Sequence, residues 1–152
     1  MGRVVRLQGG ALASLSLFVD TSVWSLALRR DCPPSTLEVD FLARALESGE
    51  PIFTTGLVLQ ELLQGFSGPK AREQIVEQFA VLPLLIPDRG DHIQAAELRN
   101  SCRRAGLQIG TIDALLAQLC IRHQLLMLST DRDFHDMASR TALKIWQMPS
   151  RR

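Results

Sequence analysis

The apolar residues of this chain come in two rhythms. Short dense runs stand at 15–19, 51–54, 81–85, 125–129 and 143–146, and between them apolar residues return every three or four positions. A short dense run suits a strand covered on both faces, and the wider spacing suits a helix with one face inward. Leu37, Phe41, Leu42, Ala45 and Leu46 carry the helical rhythm over 36–48, which Gly49 closes. It returns from Leu57 to Gln64, ahead of Gly65 and Gly68-Pro69, and again over 70–80 with Ile75, Val76 and Phe79 inward. Asp88 is placed to cap a helix reaching Ala105, with Ile93, Ala96 and Leu98 as its core candidates and Gly106 as its stop. Thr21-Ser22 and Asp113 open two more helices, over 23–28 and 113–123, and Asp133 to Asp136 brackets a short segment.

Pro33-Pro34 mark 31–35 as a loop, and Pro83 demotes 81–85 towards a sheet edge. Strands alternating with helices predict an α/β protein, a three-layer α/β/α sandwich around a central parallel sheet. Residues 15–148 read as one domain. Residues 1–14, with Arg3, Arg6 and Gly9-Gly10, read as a flexible leader rather than a signal peptide, because the apolar run from Ala11 runs straight into Asp20 without a good cleavage site.

Composition narrows the classes. The chain has 152 residues, enough for one core, and its 46% hydrophobic and 22% charged residues argue against disorder. A net charge of +1 advertises no global field for nucleic acid, although Arg makes up nearly all of the 17 basic residues and suits phosphate. Cys32, Cys102 and Cys120 are an odd number without a close pair, so neither a disulfide framework nor a zinc site is expected, and a reducing, cytoplasmic setting is. No apolar run is long enough to span a membrane.

The candidate chemistry lies in the acids. Asp20 follows the first strand, Glu61 sits in the helix after the second, Asp113 opens a helix, and Asp131 follows a strand. The helix from Asp113 to His123 is about 16 Å long at ~1.5 Å per residue. The returning strand, 125–129, covers about the same distance at ~3.3 Å per residue. Asp113 and Asp131 therefore return to one edge, at the carboxyl ends of the strands, where open α/β sheets place their sites. Taken singly, Asp20 could be a helix cap, Asp113 a partner of the helix dipole and Asp131 a turn acid. Taken together, crowded carboxylates repel unless a cation sits among them. Oxygen-only ligands select Mg²⁺ or Mn²⁺ over Zn²⁺, and His92, His123 and His135 show no zinc spacing. Such an ion suits water attack on a phosphodiester. No serine or cysteine nucleophile motif, glycine-rich phosphate loop or dinucleotide fingerprint competes.

At these residues the chain resembles the PIN-domain ribonucleases, and among them the VapC-type toxins of toxin–antitoxin pairs. The likeness rests on Val19-Asp20-Thr21-Ser22-Val23-Trp24, on Thr54 to Gly65 around Glu61, on Gly110-Thr111-Ile112-Asp113-Ala114-Leu115-Leu116-Ala117, and on Leu128-Ser129-Thr130-Asp131-Arg132-Asp133-Phe134. It implies a Mg²⁺- or Mn²⁺-dependent endoribonuclease with Asp20, Glu61, Asp113 and Asp131 as metal-binding and catalytic acids. Asp133 is implied as a possible fifth ligand, because the last acid varies in position within this loop. Thr21 or Ser22 and Ser129 would orient carboxylates or water, and Arg132 is a candidate phosphate contact. The implied partners are an RNA substrate, a small antitoxin covering the site, and a second copy in a homodimer. Two rival readings keep the same fold: a non-catalytic binding module, and a nuclease acting on DNA or structured nucleic acid.

Overall fold

The computed structural model describes residues 4–6, 12–14, 16–29 and 36–148. The expected loop at 31–35, Cys32 and the 151–152 tail lie outside these residues, as does most of the 1–14 leader. Two short strands within that leader, β1 (Val4–Arg6) and β2 (Leu12–Ser14), pair antiparallel.

The main sheet has five parallel strands: β3 (Leu17–Val19), β4 (Ile52–Thr55), β5 (Leu84–Leu85), β6 (Leu126–Leu128) and β7 (Lys144–Ile145). Their order is β5-β4-β3-β6-β7. Helices connect and flank them: α1 (Thr21–Ala27), α2 (Leu37–Glu47), α3 (Gly56–Gly65), α4 (Pro69–Phe79), α5 (Arg89–Arg104), α6 (Thr111–His123) and α7 (Arg132–Ala138). The predicted three-layer α/β/α architecture is the one observed.

The central strand carries the reason. Leu17, Phe18 and Val19 are all fully buried, as a strand covered on both faces must be. Met127 and Leu128 beside it are fully buried too, and Trp24 packs on Phe79 with ring centroids 4.9 Å apart. From β3 the chain builds outward to β4 and β5, then crosses back to add β6 and β7 on the other side. The gap between β3 and β6 is thus the point where the winding reverses, and open parallel sheets bind ligands at the carboxyl side of that point.

α6 is the central helix of one layer. Ala114, Leu115, Leu116, Ala117, Leu119 and Cys120 are buried, an apolar wrap too wide for one amphipathic stripe. It ends at Gln124, whose backbone is left-handed at φ 54 and ψ 46. A β-carbon is disfavoured there. Gln124→Gly is expected to stabilise the protein by about 0.5–1 kcal/mol, seen as a higher urea midpoint at unchanged slope. A midpoint at or below that of the parent would refute it.

α5 differs from its expected facing. Ile93 is 53% exposed and Ala96 is exposed, whereas Asp91, Ala95 and Cys102 are buried, with Leu98 partly so. The inward stripe is therefore 91, 95, 98 and 102, and it begins on an acid. Asp91 is 1% exposed because Arg122 of α6 grips it, Nε to Oδ1 and a terminal nitrogen to Oδ2, both at 2.7 Å. Asp88 and Asp91 also form a reciprocal capping box. Val76 of α4 and Leu37 and Leu46 of α2 likewise face outward, while Ile75, Phe79, Leu42 and Ala45 fill the core.

Candidate active site

The acids are set by strand ends and helix starts. Asp20 leaves the end of β3 and caps α1, taking the Ser22 amide at 3.4 Å. Its backbone amide continues the ladder to the Leu128 carbonyl at 2.9 Å, so the ends of β3 and β6 are in register where the acids emerge. The Asp20 Oδ2 atom accepts the hydroxyls of Ser22 at 2.8 Å and Ser129 at 2.9 Å. At 7% exposure Asp20 is nearly sealed, and burial raises its pKa above the usual carboxylate value against the lowering pull of these hydroxyls.

Ser129 organises the turn after β6. It is fully buried, and its Oγ accepts the Asp131 amide at 3.0 Å while donating to Asp20. The Thr130 amide reaches Ser22 Oγ at 3.1 Å. Asp131 then caps α7, accepting the Asp133 amide at 2.9 Å on Oδ1. His135 Nε2 lies 3.0 Å from the Ser129 carbonyl and pins α7 back on the turn. This role of His135 was not foreseen, and its only trace in the sequence is a six-residue spacing from Ser129, too common to signal anything.

Asp113 stands in the first turn of α6, whose amino end begins at Gly110 without a side-chain cap. One carboxylate oxygen from each of Asp113, Asp131 and Asp133 lies within 4.8 Å of the others. Asp131 and Asp133 are thus both at the cluster, the second being the fifth acid that the resemblance implies. Asp113 has its pKa pushed up to about 6, first by burial and then by the charges of Asp131, Asp20, Asp133 and Glu61. All five sequence candidates therefore bear on one region.

Despite its apolar neighbours in sequence Glu61 is exposed, one turn into α3, and Thr21 Oγ1 donates to its Oε2 at 2.8 Å. Thr21 thus ties the start of α1 to α3. Arg132 points outward, its side chain 91% exposed and 3.9 Å from Asp136. Cys102 and Cys120 are free and buried, and burial raises both thiols, leaving them poor nucleophiles.

An α/β/α domain with an acid cluster at its winding-reversal point presents the oxygen donor set of a hard divalent ion. A three-carboxylate cluster, closely spaced and with a raised pKa at its centre, fits such an ion. The PIN domain model matches residues 17–140, and the chain belongs to the PIN-domain family, a family of nucleases. No curated protein sequence matches it.

Solved structures share the fold at low identity. A chain of VapBC2 from Rickettsia felis, solved bound to a promoter DNA fragment, is 20% identical with a TM-score of 0.64, covering 87% of this chain and 98% of that one. VapBC-1 from nontypeable Haemophilus influenzae is 12% identical with a TM-score of 0.67, over 87% and 97%. VapC20 from Mycobacterium tuberculosis, described as a sarcin–ricin loop cleaving toxin, is 20% identical with a TM-score of 0.59, over 82% and 94%.

Proposed function

We propose that this protein is a metal-dependent endoribonuclease acting as the toxin of a toxin–antitoxin pair. The observation that carries the reading is the meeting of Asp113, Asp131 and Asp133 within 4.8 Å at the point where the sheet reverses its winding. Asp113, Asp131, Asp133 and Asp20, with Glu61 at the rim, would hold Mg²⁺ or Mn²⁺, since oxygen donors alone favour hard ions. When bound, such an ion supplies a more acidic water and neutralises charge on a phosphodiester.

The protein's own groups do the rest. Ser22 and Ser129 fix Oδ2 of Asp20 and oppose, without outweighing, the rise that burial gives its pKa. Thr21 orients Glu61, and the Asp133 amide fixes one oxygen of Asp131, leaving the other free to bind. Exposed Glu61 and half-buried Asp113, Asp131 and Asp133 leave the cluster open on the side a strand of RNA would approach.

The toxin role rests on the company the fold keeps. VapC20 is named as a sarcin–ricin loop cleaving toxin, and the other two neighbours named above are VapBC structures. A cognate antitoxin covering the site and a homodimer belong to the same reading. So do a nuclease domain over 15–148 with a leader at 1–14, and a cytoplasmic location. Among the described residues no helix is long and apolar enough to cross a membrane.

Purified, antitoxin-free protein should cut single-stranded RNA when Mg²⁺ or Mn²⁺ is supplied, stop with chelator, and recover on add-back. Matched DNA should be cut far less. Equal cutting of both would favour the DNA-acting rival. Absence of both cutting and calorimetric metal binding would favour a non-catalytic module.

A further inference from the structure

Two arginines near the carboxyl end of α5 remain without a stated task. Arg99 and Arg103 lie one turn apart near the carboxyl end of α5. The loop 105–110 joins that end to the start of α6, two residues before Asp113, so both arginines sit on the site's edge of the sheet. Among the described residues neither has a carboxylate within ion-pair distance, where the pairs formed are those of Arg122 and Arg132. Arg99 is half-buried, and its Nε donates to the Ile109 carbonyl at 2.9 Å. That bond holds the guanidinium in place and leaves its terminal nitrogens free.

Open space lies beside Arg99. Arg99, Arg103, Gln108 and Ile109 line a cavity of about 390 Å³. A second cavity of about 380 Å³ adjoins at Arg99 and runs past Leu57, Ala95, Thr111, Ile112 and Leu115 to the first turn of α6. The two share Arg99, and together they reach from two cations and an amide to Thr111 and Ile112, the two residues before Asp113 at the start of α6. Arginine at an α-helix carboxyl end also favours the helix dipole, which accounts for Arg103 alone. It does not account for Arg99, one turn inside, tethered to the next loop and lining both cavities.

Building on the nuclease reading, we propose that Arg99, with Arg103 and Gln108, binds a backbone phosphate of the nucleic-acid strand beside the one being cut. Arg99 is then a substrate-positioning residue that sets the strand's register over the acids. Arginine suits this because its planar fork meets two phosphate oxygens at once, and the Ile109 tether removes much of its rotamer freedom beforehand.

The test measures binding apart from chemistry. Full-length protein carrying Asp113→Asn is titrated with a short fluorescent single-stranded RNA, and with matched DNA, at salt between about 50 and 200 mM. Added Arg99→Gln should weaken binding about tenfold and lower the salt slope by about one, with Arg103→Gln giving a smaller change in the same direction. Arg44→Gln on α2 should do neither. In the otherwise unaltered protein, Arg99→Gln should raise KM more than it lowers kcat. If Arg99 merely clamps the loop, Arg99→Gln lowers the melting temperature and kcat while KM and the salt slope stay put, and the proposal falls. It falls equally if Arg99→Gln and Arg103→Gln bind RNA and DNA within twofold of the parent. If the parent binds neither RNA nor DNA and the unaltered protein cuts neither, the nuclease reading fails and takes this proposal with it.

Discussion

Replacing Asp113 with Asn is expected to abolish metal-dependent cleavage and, in metal-free protein near neutral pH, to make the fold more stable. Both effects come from one carboxylate. As a ligand, Asp113 helps hold charge worth several kcal/mol in the transition state, so its loss should lower the rate by a factor on the order of 10³. Without metal the same group is a liability, because its pKa is raised from 3.8 to about 6 by burial and by the surrounding acids. The folded state therefore binds more protons than the unfolded state between those values. The stability this gives is fully present below pH 3.8, is lost as pH rises through about 6, and stays lost above it.

Asn carries no charge, so the gain over the parent should be near zero in acid and full at neutral pH. Asp113 is partly open to solvent, and screening leaves the gain on the order of 1 kcal/mol, or about 2–4 °C in melting temperature. Mn²⁺ should stabilise the parent and leave the variant largely unmoved. Thermal melts across pH, with chelator and with Mn²⁺, check all three points. A variant that melts below the metal-free parent at neutral pH would contradict the crowding of charge argued here.

Ser129→Ala should damage both the fold and the acid cluster, although the side chain touches no substrate. Its hydroxyl is fully buried between the Asp20 carboxylate at 2.9 Å and the Asp131 amide at 3.0 Å. Alanine strips a donor from a nearly sealed acid and an acceptor from a backbone N–H, and no water is admitted to replace them. The expected cost is about 2–3 kcal/mol, or roughly 5–10 °C. Since Asp20 and Asp131 are both steered by this hydroxyl, metal affinity should also fall by about 10–100-fold. Denaturant titration reads the first effect and calorimetry with Mn²⁺ the second. Lost stability with unchanged affinity would reduce Ser129 to a structural part.

Which features were legible in the sequence depends on how local their causes are. β3 and α6 are dense apolar runs, so their burial could be read directly from Leu17-Phe18-Val19 and from Ala114 to Cys120. The approach of Asp113 to the end of β6 followed from nothing more than two matching lengths. The facing of α5 was hidden, because its inward stripe opens on Asp91, and only Arg122, thirty-one residues later, makes burying that acid tolerable. Glu61 misled in the opposite sense: leucines flank it in sequence, yet the helix turns it outward to Thr21. Asp131 and Asp133 could not be told apart because their roles are joined, the amide of the second being fixed by the carboxylate of the first.

The bond from Ser129 to Asp20 spans 109 residues of chain and crosses a strand pairing, β3 on β6, that the order of synthesis leaves until late. Half of the acid cluster's support is made early and waits through three crossovers for the rest. A ribosome that has delivered β3, β4 and β5 has delivered a partial sheet with Asp20 and Glu61 but none of the clustered aspartates. On the proposed reading, the growing chain is harmless to the RNA-built machine that makes it. The chain arms only once its last third is out, and that is also when an antitoxin would first find something to cover.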